Sequence, residues 1–167
     1  AESGRAFFET YPIVLSQLQG AVVIVVGGGQ VAERKVRGLL AVGAAVRLIS
    51  PSITPRLQLW ADEQRINWEA RAYQPGDLNG NGVSRPMLVF AATNQRETNA
   101  QVAREAASLH LLCNVVDQPE EGQFHLPAIY RDTDLVITVS TGGSSPTRAR
   151  QVRDRIAALL QDEADSA

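Results

Sequence analysis

Residues 22–35 read VVIVVGGGQVAERK, a run of branched apolar side chains that leads directly into glycines. The run predicts a buried strand, and QVAERK opens an amphipathic helix. Gly27, Gly29 and Ala32 fill the G-x-G-x-x-A pattern between strand and helix, where glycines let the backbone approach a pyrophosphate. The pattern favours a nicotinamide or flavin dinucleotide. A tight turn without a ligand, or one that serves S-adenosylmethionine, uses the same glycines.

Outward from this turn, short β-branched runs alternate with amphipathic segments of helical length. This alternation is typical of βαβ units and a parallel sheet. Strands are predicted at 22–26, 45–49, 66–70, 87–92 and 111–116, and helices at 30–42, 55–64 and 97–109. Gly43 is predicted to end the first helix, Thr54-Pro55 to begin the second, and Thr93 or Asn94 to begin the third. The turn-rich stretch 74–86 is interpreted as a surface linker without a site.

Beyond Asp117 the alternation stops, and an extended piece (123–129), a strand (135–140) and a helix (146–160) follow. Two strands without a helix between them do not continue a doubly wound sheet, so they are interpreted as a small unit that pairs with a second copy. The predicted fold class is α/β. A Rossmann-type parallel sheet (11–116) is followed by a small strand-containing dimerisation unit (117–145) and a C-terminal helical segment (146–167).

An acidic residue that holds the adenosine ribose is expected at the end of the second strand, yet Ser50 stands there. Ser50 and Ser52 offer hydroxyls to the ribose instead, and Pro51 shapes the wall. The choice between NAD and NADP therefore stays open. Glu33 and its basic neighbours are interpreted as ordinary exposed helix charges.

A second glycine turn lies in residues 135–156, LVITVSTGGSSPTRARQVRDRI. Ser145 is a good N-cap, with Pro146 at the first helical position. A turn rich in glycine and hydroxyl groups at a helix N-terminus can hold a carboxylate or phosphate. Arginines follow within two helical turns, and individually each is best explained as part of a solvated face. As a cluster they indicate a ligand that carries carboxylates.

Composition limits the remaining function classes. The 167 residues suffice for one α/β core with a small attached unit, and the formal charge of −2 gives no basic field for nucleic acid. The longest apolar run is far shorter than a membrane span. The single cysteine, Cys113, indicates a reducing compartment and favours the cytoplasm. Because His110, His125 and Cys113 lack the spacing of a metal-ligand set, no structural metal is predicted.

The stretch 112–118, LCNVVDQ, places a carboxylate at the end of a buried strand. Asp117 there is either a turn residue that ends the strand or a group that does chemistry. Ligands of open α/β sheets bind at the carboxyl ends of the strands, which favours the second interpretation.

Taken together, several segments resemble the siroheme synthase N-terminal module family, which comprises precorrin-2 dehydrogenases, some of them also sirohydrochlorin ferrochelatases. The segments are YPIVLSQLQG, VVGGGQVAERKVRGLLAVGAAVRLISP, FAATNQRETN, CNVVDQP, FHLPAI and ITVSTGGSSPTRARQVRDRI. The resemblance runs from about residue 11 to residue 160. NVVD and STGGxSPxxAR, in this order and spacing, are its most specific parts.

The resemblance implies an NAD-binding homodimer that oxidises precorrin-2 to sirohydrochlorin. In some members Fe²⁺ or Co²⁺ insertion follows at the same site. It also implies residue roles. Asp117 is the expected catalytic carboxylate with Asn114 beside it, the expected cofactor residues are Gly27, Gly28, Gly29, Gln30, Val31, Ser50, Pro51, Ser52 and Thr93, and the expected substrate residues are Thr141, Gly142, Gly143, Ser144 and Arg148.

The resemblance also implies a further C-terminal helical segment that helps cover the tetrapyrrole, whereas this sequence ends at Ala167. The leading hypothesis makes Asp117 the general base of the oxidation. The alternative is a non-catalytic sensor that binds NAD or a tetrapyrrole. A methyltransferase that binds S-adenosylmethionine is a third possibility.

Overall fold

The computed structural model describes residues 10–80 and 84–165. The chain divides into two compact units, a larger one formed by Leu15–His125 and a smaller one formed by the segments on either side of it. Within the described ranges, no helix has both the length and the apolar character needed to cross a membrane.

The larger unit is built on a five-stranded parallel sheet with the strand order β3-β2-β1-β4-β5. Its strands are β1 (Val22–Val26), β2 (Ala45–Ile49), β3 (Ile66–Glu69), β4 (Leu88–Ala91) and β5 (Leu112–Val115). Its helices are α1 (Gln30–Ala41), α2 (Pro55–Asp62) and α3 (Arg96–Ser108), and a short 3₁₀ helix covers Pro119–Glu121. The predicted Rossmann-type sheet is confirmed, with strand ends within about two residues of the predictions.

Helices cover both faces of this sheet, which explains why the central strands β1 and β4 are apolar throughout. Along β1, Val23 and Val25 pack in the core beneath α1 and α2. Ile24 and Val26 point to the opposite core, beneath α3. Alternate residues of a strand face opposite sides, so a continuously apolar strand needs a cover on each side.

Residues 70–87 connect β3 to β4 and contain no helix among their described positions. Tyr73 and Leu78 pack in the core beneath α3, and Asp77 is only 7% exposed. The interpretation of 74–86 as a surface linker is therefore wrong for its first half, which covers the sheet where a crossover helix would lie. Residues 81–83 of that stretch lie outside the described residues.

The segment after β5 belongs to the larger unit. The Gln123 amide donates to the Cys113 carbonyl (2.9 Å), and the Phe124 ring packs edge-on against Phe90, with centroids 5.5 Å apart. These contacts place the boundary between compact units after residue 125, whereas the predicted domain boundary follows residue 116. Within the predicted extended piece 123–129, regular strand begins at Ala128.

Helix ends follow local capping chemistry. The Thr54 side chain accepts from the Leu57 amide at the start of α2, and Gly43 (φ +74°) follows α1, both as predicted. The third helix differs from the prediction, because its N-cap is Gln95. The Thr93 hydroxyl oxygen instead accepts from the Gln95 amide (3.1 Å) and holds the turn before the helix.

The smaller unit contains β6 (Ala128–Arg131), β7 (Val136–Val139) and α4 (Pro146–Asp165). The two strands pair antiparallel, with Ala128 opposite Val139. Helix α4 packs on both strands. The predicted helical segment 146–167 is confirmed to Asp165, and its last two residues lie outside the described residues.

Candidate functional site

The first glycine turn is held between the ends of three strands. The Gly27 amide donates to the Ile49 carbonyl of β2 (3.0 Å), and the Ala92 amide donates to Val26 of β1 (2.8 Å). Gly27 has φ +124°, and a Cβ there would overlap the Ala92 carbonyl. A Cβ at Gly28 would overlap the Ser52 carbonyl in the same way. Both positions therefore require glycine for the turn itself.

Gly29 is different, because a Cβ there would meet no atom of the described residues within 4 Å. It is the extended N-cap of α1, it is exposed, and Gln30 and Val31 form the first helical positions after it. A helix N-terminus presents free amides and a partial positive charge to this open space. The geometry fits a dinucleotide pyrophosphate, whose close approach a side chain at residue 29 would obstruct.

Residues 50–54 form the wall beside this turn. Ser50 is 6% exposed, and its hydroxyl donates to the Ser52 carbonyl (2.7 Å). The Trp68 indole donates to the Ser50 carbonyl (2.9 Å) from β3. The Ser50 hydroxyl is therefore buried and bonded within the turn, whereas Pro51 and Ser52 are exposed. Ser52 is the hydroxyl of this pair that remains accessible to a ribose.

Glu33, interpreted as an exposed helix charge, is instead largely buried. Its side chain is 17% exposed, pairs with Arg37 (3.1 Å) and accepts a hydrogen bond from the Thr54 hydroxyl (2.7 Å). Burial, and secondarily the adjacent Arg34, lower the pKa of Lys35. No local pattern predicts the Glu33–Thr54 contact, because the partners are 21 positions apart.

Thr93, at the end of β4, is fixed by a fully buried asparagine on α3. The Asn99 Oδ1 accepts from both the Thr93 amide (3.1 Å) and the Thr93 hydroxyl (2.7 Å). The Asn99 Nδ2 donates to the Thr93 carbonyl (3.1 Å). Sequence reasoning missed Asn99, although an amide on the otherwise apolar buried face of a helix is a usable signal.

Asp117 follows β5, at the same edge of the sheet as the glycine turn, with β4 between their two strands. Its Oδ1 lies 2.9 Å from an Arg96 Nη, and the two side chains are 35% and 42% exposed. The same guanidinium also pairs with Glu121. Arg96 and Glu121 are not among the site residues predicted from the sequence, because nothing in their local sequence indicates that they meet.

Asn114 has a structural role in this arrangement. It is 5% exposed, and its Nδ2 donates to the Phe124 carbonyl (3.0 Å), which fastens the segment after the 3₁₀ helix to β5. Its Oδ1 is buried and has no hydrogen-bond partner among the residues that the structure describes. A buried acceptor without a partner is unfavourable, so the Oδ1 of Asn114 lowers the folding stability.

The second glycine turn lies wholly in the smaller unit. The Ser145 amide donates to the Thr141 hydroxyl (2.9 Å), and the Arg148 amide to the Ser145 hydroxyl (3.3 Å), as expected for a helix cap. Gly142 and Gly143 have φ +64° and +88°, which glycine adopts readily. Like both glycines, Ser144 and Arg148 are exposed and accessible to a ligand.

Within residues 10–80 and 84–165, His, Cys, Asp and Glu form no group of three that could hold a metal ion. The glycine turn, the open helix N-terminus and the strand order define a Rossmann-type dinucleotide-binding protein. A family profile described as "Putative NAD(P)-binding" matches residues 14–128, and one described as "Sirohaem biosynthesis protein central" matches residues 132–159. The chain belongs to this NAD(P)-binding family and carries the sirohaem central segment after it, which confirms the family resemblance.

Curated relatives with the same order of segments are siroheme synthases. Siroheme synthase 1 of Aeromonas salmonicida is 39% identical over 150 residues, which are 90% of this chain and 31% of that protein. Siroheme synthase 1 of Aeromonas hydrophila is 42% identical over 86% of this chain and 30% of its own length. Siroheme synthase of Methylobacillus flagellatus is 40% identical over 91% of this chain and 31% of its own. The chain thus spans about a third of these relatives.

The solved structure of "SirC, precorrin-2 dehydrogenase" is similar to this chain with a TM-score of 0.75 and 24% identity. The similarity covers 89% of this chain and 70% of that one. It confirms the predicted fold class.

Proposed function

We propose that this chain binds NAD at the first glycine turn and oxidises precorrin-2 to sirohydrochlorin. The observation that carries the proposal is the placement of two features at one sheet edge. The Gly29 turn opens α1 there, and Asp117 follows β5 two strands away. The siroheme synthase relatives and the precorrin-2 dehydrogenase fold support this substrate class.

NAD, when bound, supplies the hydride acceptor. On the protein side, the α1 amides after Gly29 bind the pyrophosphate. Gly27 and Gly28 allow the backbone to turn closely beneath it. Pro51 and Ser52 line the adenosine end, and Thr93, fixed by Asn99, borders the turn on its other side. These residues bind and orient and do not exchange protons.

Asp117 acts as the general base. Oxidation of precorrin-2 removes a hydride and a proton, and the proton goes to a carboxylate oxygen of Asp117. The side chain is partly exposed at the carboxyl edge of the sheet, where ligands of open α/β sheets bind. Its ion pair with Arg96 requires the ionised form, which is the form that accepts a proton.

The smaller unit binds the substrate carboxylates and forms a homodimer in this proposal. The turn from Thr141 to Ser144, with Arg148 behind it, offers hydroxyls, amides and a positive charge. An isolated two-stranded sheet is marginally stable in water. Apolar side chains of this unit are well exposed, which supports pairing with a second copy. They include Tyr11, Ile13, Val14, Leu126, Leu135, Val136 and Leu159.

The buried free thiol of Cys113 supports a cytoplasmic location. In this proposal the NAD-binding domain ends at residue 116 and the dimerisation unit at residue 145, although the larger compact unit extends to residue 125.

The experiment is turnover of precorrin-2 with NAD, followed by NADH absorbance and by the spectrum of the tetrapyrrole. Asp117→Asn should lower NADH formation at least about 100-fold, as expected for loss of a general base. Glu97→Gln is the matched control, because Glu97 is a carboxylate on α3 with 76% side-chain exposure. An Asp117→Asn enzyme with the wild-type rate would remove the base assignment.

Calorimetry separates the alternatives. NAD binding without any spectral change on adding precorrin-2 indicates the sensor, and preferential binding of S-adenosylmethionine indicates a methyltransferase. Fe²⁺ or Co²⁺ is added only after oxidation is complete, so metal insertion is scored separately from dehydrogenation.

A further inference from the structure

The candidate base Asp117 depends on side-chain partners for its orientation. The last ladder contact of this strand is the bond from the Val116 amide to the Ala91 carbonyl (3.1 Å), and Asp117 follows it in a bend. The Asp117 side chain follows this last strand hydrogen bond and is 35% exposed, so it can adopt several staggered rotamers. Proton transfer in turn requires a fixed donor–acceptor geometry.

Arg96 joins the two ends of the segment that carries this carboxylate. It is the first residue of α3, and its guanidinium contacts Asp117 through one nitrogen and Glu121 through the other. The 3₁₀ helix Pro119–Glu121 returns the chain so that both carboxylates meet one planar cation. Arginine suits this arrangement because its fork can bind two carboxylates in a defined plane.

The position opposes the ordinary preferences of a helix. A helix N-terminus carries partial positive charge, so a cation at its first residue is unfavourable for the helix. Exposed ion pairs also contribute little to folding stability. Helix stability therefore does not explain why an arginine occupies the first position of α3. The contact of Arg96 with the candidate base Asp117 does explain it.

We infer that Arg96 is a positioning residue that holds the Asp117 carboxylate in one orientation, with Glu121 anchoring the guanidinium from the other side. The catalytic part of this inference rests on the proposed function, whereas the orientation of Asp117 can be measured without any ligand. Arg96 itself need not touch the substrate.

The test compares Arg96→Gln and Arg96→Lys with the control Arg104→Gln. Arg104 lies on the same helix and pairs with Glu97 (3.1 Å). Three-bond couplings of the Asp117 β-protons report its χ1 rotamer in the ligand-free chain. Wild type and Arg104→Gln should show one rotamer, and Arg96→Gln should show averaging.

With precorrin-2 and NAD, Arg96→Gln should lower kcat by about 10-fold to 100-fold, as small misplacements of reacting groups do. The NAD dissociation constant and the urea midpoint should stay at wild-type values. Lysine keeps the charge but loses the fork, so Arg96→Lys should recover part of kcat.

An unchanged Asp117 rotamer or an unchanged kcat in Arg96→Gln overturns the inference. A wild-type chain that forms no NADH from precorrin-2 defeats the proposed function instead, and the rotamer measurement then decides the Arg96 inference alone.

Discussion

The Thr54 hydroxyl donates a 2.7 Å hydrogen bond to the Glu33 carboxylate, while the same oxygen accepts from the Leu57 amide (3.2 Å). One side chain thereby caps α2 and ties α1 to the wall of the cofactor turn. Thr54→Ala should lower the free energy of unfolding by about 0.5–2 kcal/mol, the range for loss of an N-cap. Urea denaturation measures this decrease. Thr54→Ser keeps the hydroxyl, so its free energy of unfolding should stay close to the wild-type value. Equal stability of the alanine variant and wild type would mean that the cap contributes nothing.

Gly27 and Gly29 should respond differently to alanine. A Cβ at Gly27 would overlap the Ala92 carbonyl, so Gly27→Ala should destabilise the sheet edge and shift the unfolding transition. A Cβ at Gly29 would meet nothing in the described part of the chain, so Gly29→Ala should fold normally and bind NAD at least about 10-fold more weakly, because the methyl group occupies pyrophosphate space. Thermal melts and calorimetry distinguish the two outcomes. Wild-type NAD affinity in Gly29→Ala would argue against pyrophosphate binding at this turn.

Much of the sheet could be predicted from local patterns. Continuous apolar runs and the G-x-G-x-x-A turn determined the positions of β1 and α1, and the Thr54-Pro55 pair determined the start of α2. These signals are local, since capping and periodicity involve residues within one or two turns. The predicted role of 74–86 was wrong for its first half, because Asp77 and Leu78 are buried where the larger unit has no crossover helix among its described residues, which turn-rich composition does not reveal.

The candidate site was predictable only as far as single motifs reach. Asp117 was identified from its place at a strand end, but Arg96 lies 21 positions before it, at the start of a helix that was predicted to begin one residue later. Glu33 was misinterpreted for the same reason, because it acts through a partner on another element. Pairings of this kind are set by tertiary packing and leave no periodic trace in the sequence.

A partly buried charge network beside β2 and β3 should make stability depend on pH. Hydrogen bonding from Arg47, and then from Arg71, lowers the pKa of Glu69 despite its partial burial. Burial alone would raise the pKa of Asp77, but hydrogen bonds from Arg71 (2.7 Å) and the Gln74 amide outweigh it and lower the pKa. Because both carboxyls have depressed pKa values in the folded chain, their contribution is present at neutral pH and is lost as the pH falls below about 4.5, the ordinary value of Glu.

Arg71→Gln should therefore lower the urea midpoint at pH 7 and flatten its decline towards pH 3, since less pairing remains to be lost. The control Arg104→Gln removes an exposed pair and should leave the decline unchanged. Parallel declines in Arg71→Gln and wild type would exclude this network as a source of acid sensitivity.

Cys113 should be unreactive in the native chain. It is fully buried in β5, and burial raises the pKa of its thiol to about 12, with a backbone hydrogen bond at Ala91 acting in the opposite direction. Thiolate is the reactive form, so at pH 8 a disulfide reagent should label Cys113 only as fast as the strand opens. Gln123 covers this strand, because its Oε1 accepts from the Cys113 amide (3.0 Å). Gln123→Ala should thus accelerate labelling without changing the reaction of the unfolded chain, whereas rapid labelling of native wild type would show that the segment after the 3₁₀ helix does not stay on β5.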